Sequence, residues 1–387
     1  MKEGWSYKKL GEVCDFEGGS QPPKSEWINH PQDGYVRMLQ IRDFTRSRNA
    51  EIEYVKISKK IRLCKADDIL IGRYGASVGK ILTGLAGAYN VAIIKSIPNE
   101  ELISKAFIKR YFEARSFQSV LLKVCASRAA QAGFSKDDIC DTPIPVPPLS
   151  EQHSIVSRLD TAFSHIDALK ANAEKQLNEA RKLFQAELTE CMKPKEGWEE
   201  KKIGDVFQTY AGGTPLKSGK GYYEGGTIPW IRSGEVCQMY IRDCEMCITE
   251  EGMKNSSAKY YPVDTILVAM YGATAAQVGI LKFEATSNQA VCGILPHKDF
   301  IPEYIYYWFT NIQKDLAAQA QGGAQPNLSQ VKIKKVSISY PSRTIQHSIV
   351  SHLDSLSSTI RKLEELQQKT FAECDALKQA MLREVFE

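Results

Sequence analysis

At 387 residues the chain is longer than one hydrophobic core usually grows, so its length predicts two domains of ordinary size. A hydrophobic share of 43%, with 17 Tyr and 14 Phe, excludes a disordered chain. No apolar run approaches the roughly 18 residues of a membrane-spanning helix, so no membrane partner is expected. The first residues, Met1-Lys2-Glu3-Gly4-Trp5, lack the apolar stretch of a secretory signal, and a cytoplasmic location is expected. Ten cysteines at wide spacings suit reduced core thiols better than a disulfide framework. The net charge is +4, but it is uneven. Residues 151–193 hold six Lys/Arg against seven Asp/Glu and residues 345–387 five against seven, leaving +7 for the rest. That surplus permits a phosphate-binding surface.

In chain order, Gly18-Gly19-Ser20 predicts a turn, and Tyr35-Val36-Arg37-Met38-Leu39-Gln40-Ile41 a short strand. Gly72-Arg73-Tyr74-Gly75-Ala76-Ser77-Val78-Gly79-Lys80 superficially suggests a phosphate-binding loop. Its glycines are too close, however, and Ile81 stands where the loop needs Ser or Thr, so it predicts a turn and no ATP site. Residues 106–112 predict an amphipathic helix. Pro143-Ile144-Pro145-Val146-Pro147-Pro148 then marks a border where regular structure ends.

A long helix follows. Ser150 is a plausible N-cap with Glu151 in the first turn. Apolar residues then fall at 155, 159, 162, 166, 169, 173, 177, 180, 184 and 188, with no Gly or Pro before Pro194. About 40 helical residues extend roughly 60 Å.

The pattern then begins again. Lys2-Glu3-Gly4-Trp5 recurs as Lys195-Glu196-Gly197-Trp198 at an offset of 193, and Leu10-Gly11-Glu12-Val13 as Ile203-Gly204-Asp205-Val206. Gly18-Gly19-Ser20 pairs with Gly212-Gly213-Thr214, Tyr74-Gly75-Ala76 with Tyr271-Gly272-Ala273, Gln131 with Gln325, and Ser135 with Ser329. Thr227-Ile228-Pro229-Trp230-Ile231-Arg232 predicts a strand, and residues 303–309 a helix. The two copies agree best at the start of the long helices. There Gln152-His153-Ser154-Ile155-Val156-Ser157-Arg158-Leu159-Asp160 returns from Gln346 to Asp354 with one difference in nine, His352 for Arg158. The second helix carries Ile349, Leu353, Leu356, Ile360, Leu363, Phe371, Cys374, Leu377, Met381 and Val385 along one side. A stripe so narrow needs cover. The other copy's helix, lying antiparallel, is the economical partner, and two separate coiled coils binding other proteins are the alternative.

The organisation expected is therefore residues 1–149 as a first domain, 150–193 as a first helix, 194–342 as a second domain and 343–387 as a second helix. The fold class is α+β: two mixed domains joined by two long helices in an antiparallel coiled coil, with an internal pseudo-twofold repeat.

Catalytic signatures are lacking. The six histidines do not cluster, and His153 and His347 at the helix starts suit packing or a helix-end hydrogen bond better than general-base work. Cys244-x-x-Cys247 with Cys237 nearby has no counterpart in the first copy and lacks the four ligands of a structural zinc site, so no metal is expected. No Asn/Asp-Pro-Pro-aromatic motif for amino-methyl transfer and no glycine motif placed for S-adenosylmethionine is present.

The order of parts resembles the type I restriction-modification specificity subunits over essentially the whole chain. The likeness is carried by Gly4-Trp5 with Leu10-Gly11-Glu12-Val13; by Gly212-Gly213-Thr214-Pro215; by Ile228-Pro229-Trp230-Ile231-Arg232-Ser233-Gly234-Glu235; by Gln325-Pro326-Asn327-Leu328-Ser329; and by Ile144-Pro145-Val146-Pro147-Pro148-Leu149-Ser150-Glu151-Gln152. Two departures stand out. Gln131-Ala132-Gly133-Phe134-Ser135 replaces Gln-Pro-Asn-Leu-Ser in the first copy, and Tyr340-Pro341-Ser342 is a reduced proline border in the second.

The resemblance implies two target recognition domains, each reading one half of a split, asymmetric target in double-stranded DNA. It implies helices that set the spacing and dock two methylation subunits, with restriction subunits joining the complex. It also implies that S-adenosylmethionine, ATP and Mg²⁺ chemistry resides in those partners, this chain binding no cofactor and holding no catalytic residue. By position, the expected DNA-binding residues are Lys24, Arg37, Gln40, Arg42, Arg73 and Lys80 in the first domain. In the second they are Lys217, Lys220, Arg232, Arg242 and Gln277. A self-contained methyltransferase or nuclease, and a coiled-coil scaffold without DNA binding, are the competing functions.

Overall fold

The computed structural model describes residues 4–45, 51–128, 133–216, 221–321 and 327–387. Lys2, Glu3, Gln131, Ala132, Lys217, Lys220, Gln325 and Pro326 lie outside them. The chain divides into two compact units, Met1–Ala173 with Gln368–Glu387, and Glu174–Gln367.

The first unit opens with β1 (Ser6–Lys9), the single turn α1 (Leu10–Val13) and β2 (Cys14–Gly18). Next come β3 (Tyr35–Leu39), α2 (Ile41–Thr45), β4 (Tyr54–Lys56), β5 (Leu63–Cys64), β6 (Ile69–Gly72), β7 (Ile81–Leu82), β8 (Gly87–Tyr89) and β9 (Ile93–Pro98). Helices α3 (Lys105–Glu113), α4 (Arg115–Ala126) and α5 (Asp137–Cys140) then lead to β10 (Pro143–Val146) and the long helix α6 (Leu149–Met192). Two four-stranded sheets result, ordered β2-β9-β6-β7 and β4-β3-β8-β5. Strand β6, Ile-Leu-Ile-Gly, is buried throughout, as an unbroken apolar run between covered faces should be. The Ser104 hydroxyl caps α3 by accepting from the Phe107 amide, and Phe107, Ile108, Tyr111 and Phe112 form its buried face.

The second unit repeats this plan with β11 (Glu199–Lys202), α7 (Ile203–Val206), β12 (Thr209–Ala211), β13 (Ile228–Ile231), β14 (Tyr240–Ile241), β15 (Cys247–Ile248) and α8 (Glu250–Lys254). It continues with β16 (Ile266–Ala269), β17 (Val278–Leu281), β18 (Thr286–Ser287), β19 (Val291–Ile294), α9 (Pro302–Gln321), α10 (Gln330–Lys334), β20 (Ser337–Tyr340) and α11 (Arg343–Phe386). Its sheets run β12-β19-β16-β17-β14 and β15-β13-β18, so that β2, β9, β6 and β7 have direct counterparts in β12, β19, β16 and β17. The parallel pair β3–β8 likewise returns as β13–β18.

The proline border is itself a strand. Residues 143–146 pair antiparallel with β1, Ser6 opposite Val146, and β20 pairs with β11 in the same way. Each of these is a two-stranded ribbon, whose outer edge tolerates a residue without an amide donor. Helix α6 begins at Leu149, one residue before the expected cap: Pro148 offers its carbonyl to the amides of Glu151 and Gln152, and Ser150 lies inside the first turn.

Within each unit the long helices run antiparallel. In the first, Lys170 bonds Asp375 and Lys378 bonds Asp167, both at 2.5 Å. In the second, Arg181 bonds Glu364 at 2.6 Å. Exposed pairs of this kind contribute about 0–1 kcal/mol each; burial of the apolar stripe does more. Val156, Leu159, Phe163 and Ile166 join Leu382 and Phe386 in the first core, where the Phe107 and Phe386 rings stand 5.1 Å apart. Leu188, Met192, Val350 and Leu353 join the second core. Two stripe members depart from expectation, Leu169 at 57% and Leu377 at 52% exposure. A stripe that drifts around a 3.6-residue helix carries such positions out of the seam.

A buried glutamine joins each long helix to its domain. Gln152 is fully buried; its amide donates to the carbonyls of Leu102 (2.8 Å) and Pro147 (2.9 Å) and its oxygen accepts from the Ser104 amide (2.8 Å). Gln346 is equally buried and bonds the carbonyls of Asp299 (3.0 Å) and Pro341 (2.9 Å) and the amide of Ile301 (3.0 Å). The recurring histidines next to them, His153 and His347, are exposed. The ten cysteines are free, four of them buried, and Cys237 is exposed rather than in a core. No described helix is long and apolar enough to cross a membrane.

Candidate nucleic-acid interface

The loops that leave the parallel strands β3 and β13 share one backbone and carry different side chains. Met38 and Leu39 pair with Ala88 and Tyr89, and Trp230 and Ile231 with Thr286 and Ser287, which makes Gln40 and Arg232 equivalent. The next turn confirms this. The Gln40 amide donates to Asp43 Oδ2 (2.7 Å), and the Arg232 amide to Glu235 Oε2 (2.8 Å).

In the first domain a single carboxylate collects three of the expected DNA-binding residues. Glu53 accepts from Lys24, from Gln40 Nε2 (2.9 Å) and from an Arg42 guanidinium nitrogen (2.5 Å). Burial pushes its carboxyl up, but Lys24, Arg42 and Gln40 together hold it below the usual carboxylate range. Lys24 also stands 3.9 Å over the Trp27 ring. Arg37 is tied to Asp43 at 2.8 Å and is only 26% exposed.

Arg73 and Lys80 lie on a separate feature, the connection between β6 and β7. That connection is a 3₁₀ turn over Gly75–Ser77 between antiparallel strands, with Gly75 (φ +57°) and Gly79 (φ +77°) in the left-handed region. Lys80 therefore leads into a strand rather than a helix. Arg73 donates through Nε to the Phe134 carbonyl (3.0 Å), and Lys80 is exposed. No described contact joins this pair to the Glu53 cluster.

In the second domain Arg232 pairs with Glu245 and lies 3.5 Å from Glu235. It lines a depression of about 580 Å³ together with Thr214, Tyr223, Trp230, Met246, Asn288 and Gln289. Gln277 occupies the place of Lys80, since Gln277 and Lys80 both donate backbone bonds three residues back, to Thr274 and Ser77. Its side-chain oxygen is buried, with no partner among the described residues. Arg242 is exposed and lies 5.4 Å over the Tyr240 ring. Lys217 and Lys220 fall outside the described residues.

Sequence reasoning missed Glu53 and Glu245, because acidic residues repel phosphate when considered singly; here they position basic and amide groups. It missed Asn288 as well. The signal was available in the recurrence of Asn90 as Asn288: each side chain accepts from the amide two residues on, at 3.2 and 3.1 Å. The glycine turn opposite explains the spacing. An added Cβ would lie 2.0 Å from the Asn90 carbonyl at Gly19 and 2.2 Å from the Asn288 carbonyl at Gly212. The amides of Gly19 and Ser20 donate to Ile93 and Tyr89, those of Gly212 and Gly213 to Val291 and Ser287. Gly19 is thus the partner of Gly212, one residue away from the pairing that sequence similarity suggests.

Comparison with known proteins gives this repeat a family. The family model described as "Type I restriction modification DNA specificity domain" matches twice, at residues 2–179 and 195–370. The chain is similar to the type I restriction enzyme EcoR124I/EcoR124II specificity subunit of Escherichia coli, 29% identical over 230 residues, 58% of this chain and 57% of that protein, so this match spans little more than half of the relative. It is also similar to the EcoBI specificity subunit of Escherichia coli, 23% identical over 425 residues, 100% of this chain and 86% of that one. In fold it is similar to a chain from a structural study of complex assembly and conformational transition of the type I R-M system, with a TM-score of 0.78 at 17% identity, covering 100% of this chain and 98% of that one. With the matched segments spanning most of its length, the chain belongs to the type I restriction modification DNA specificity domain family and carries two copies of that domain.

Proposed function

We propose that this chain is the sequence-reading subunit of a type I restriction-modification complex, each domain contacting one half of a bipartite, asymmetric target in double-stranded DNA. One observation carries the reading. At the same backbone position, on the same turn, one domain presents Gln40 and the other Arg232, each backed by a carboxylate. An amide of this type suits the N6/N7 edge of adenine and a guanidinium the O6/N7 edge of guanine. A shared frame with unlike tips is what a reader of two unlike half-sites needs. Lys24, Arg42 and Arg242, with Arg73 and Lys80 on their separate turn, supply phosphate contacts, and Arg37 braces the turn that carries Gln40.

On this proposal the long helices set the distance between half-sites and dock two methylation subunits, through which restriction subunits join. Half-sites about one helical turn apart, roughly 34 Å, suit readers held by a helical spacer. S-adenosylmethionine, ATP and Mg²⁺ serve the partner chains. The complex is cytoplasmic.

Methylome sequencing of cells carrying this chain with its methylation partner tests the proposal. The expected result is a methylated motif of two specific halves of different sequence separated by unspecified bases. A contiguous motif that depends on this chain overturns it.

A further inference from the structure

The two long helices differ between the units at one chemically distinctive place. Glu187 and Cys191 are four residues apart on α6 and so share a face; His352 comes from the early turns of α11. His352 Nε2 lies 2.9 Å from Glu187 Oε1, and Cys191 Sγ lies 3.7 Å from the same oxygen. All three donor atoms fall within 4.8 Å of one another, and among the described residues this is the one such grouping of three. With zinc bonds of about 2.0–2.3 Å, tetrahedral donors stand roughly 3.3–3.8 Å apart, so small side-chain rotations bring these three to one ion. His352 and Glu187 are about half exposed, at 50% and 45%, which leaves the fourth position to water.

The repeat gives an independent reason to take the trio as a unit. His352 is the single departure in the nine-residue match, standing where the first copy has Arg158. In the same register Glu187 and Cys191 correspond to Met381 and Val385. Arg158, Met381 and Val385 meet in the first unit, lining one depression there. All three donors are thus present at one helix pair, and at the other they are replaced by Arg158, Met381 and Val385, which offer no imidazole, carboxylate or thiolate. An ion pair between His352 and Glu187 alone would give no part to Cys191.

We propose that Glu187, Cys191 and His352 form a site for a divalent transition-metal ion that ties α6 to α11 in the second unit. The mixed carboxylate, thiolate and imidazole set favours zinc, and a sulfur ligand disfavours magnesium or calcium, which take oxygen. Bound there, the ion would secure one helix pair and leave its counterpart metal-free. This proposal does not depend on DNA reading.

Cobalt(II), titrated into the reduced full-length chain, is the test. The expected result is one cobalt bound per chain with a thiolate-to-metal charge-transfer band, displaced by zinc. Cys191→Ser should abolish the band. His352→Arg, which installs the first copy's residue, should weaken cobalt binding by more than about tenfold, since even the loss of an outer partner of a metal ligand costs that much. Zinc should raise the Tm of the unaltered chain and not that of the variant combining Cys191→Ser and His352→Arg. A chain that binds no cobalt, or a band that survives in Cys191→Ser and so belongs to other thiols such as Cys244 and Cys247, overturns the proposal.

Discussion

The helix starts and the strand ends of the two domains show opposite kinds of repetition. At the helix starts the side chain is kept: Gln152 and Gln346 are both fully buried and make the same three bonds to the same kinds of backbone group. At the ends of β3 and β13 the backbone is kept while the side chain changes, Gln40 against Arg232. A buried amide that closes three bonds cannot vary without leaving polar groups unpaired, whereas a side chain on a solvent-facing turn can. The frame and the proposed reading tips therefore answer to different physical constraints.

The largest way to break that contrast is to attack the frame. Gln152→Leu strands two carbonyls and one amide in a dry joint, at about 1–3 kcal/mol for each unpaired group. A loss of about 3 kcal/mol or more is expected in the first unit, read as a lower denaturation midpoint by urea unfolding. Gln346→Leu should do the same to the second unit. Equal stability in either variant would show that these glutamines do not hold the helices.

A smaller effect is expected at the glycine turn. Gly212→Ala places a methyl 2.2 Å from the Asn288 carbonyl, and relieving that overlap should cost about 1–3 kcal/mol, as overpacking does. Gly213→Ala is comparably hindered, its Cβ lying 2.1 Å from the Ala258 amide nitrogen. Gly234→Ala meets nothing within 4 Å and serves as the neutral control in thermal melts.

The smallest effect belongs to the proposed phosphate contacts. Lys80→Ala should weaken DNA binding equally for all sequences and lower the slope of log K against log salt by about one. Unchanged slope would remove Lys80 from the interface.

Much of the fold was legible in the sequence. The repeat, the long helices and the strands around Tyr35 and Ile228 follow from periodicity and recurrence, because buried stripes and buried amides restrict what residues can stand there. The proposed reading edge was harder. Lys24, Gln40 and Arg42 were expected there by position, but the carboxylate of Glu53 that gathers them is more than ten residues away in sequence and carries a negative charge. The register of the glycine turn was off by one because two adjacent glycines look alike in sequence, and only the clash with the Asn90 and Asn288 carbonyls tells them apart. The proline border appeared to end regular structure, and instead forms an edge strand, since its missing donors cost nothing where no neighbour needs them.

The central claim is that one frame holds two independent readers, and the exchange of their tips tests it most directly. Methylome sequencing of cells expressing the Arg232→Gln and Gln40→Arg variants reads out both halves at once. Each change should alter base preference by about 1–3 kcal/mol at one position, Arg232→Gln in one half of the motif and Gln40→Arg in the other. A variant that changes both halves together, or the two variants changing the same half, would contradict it.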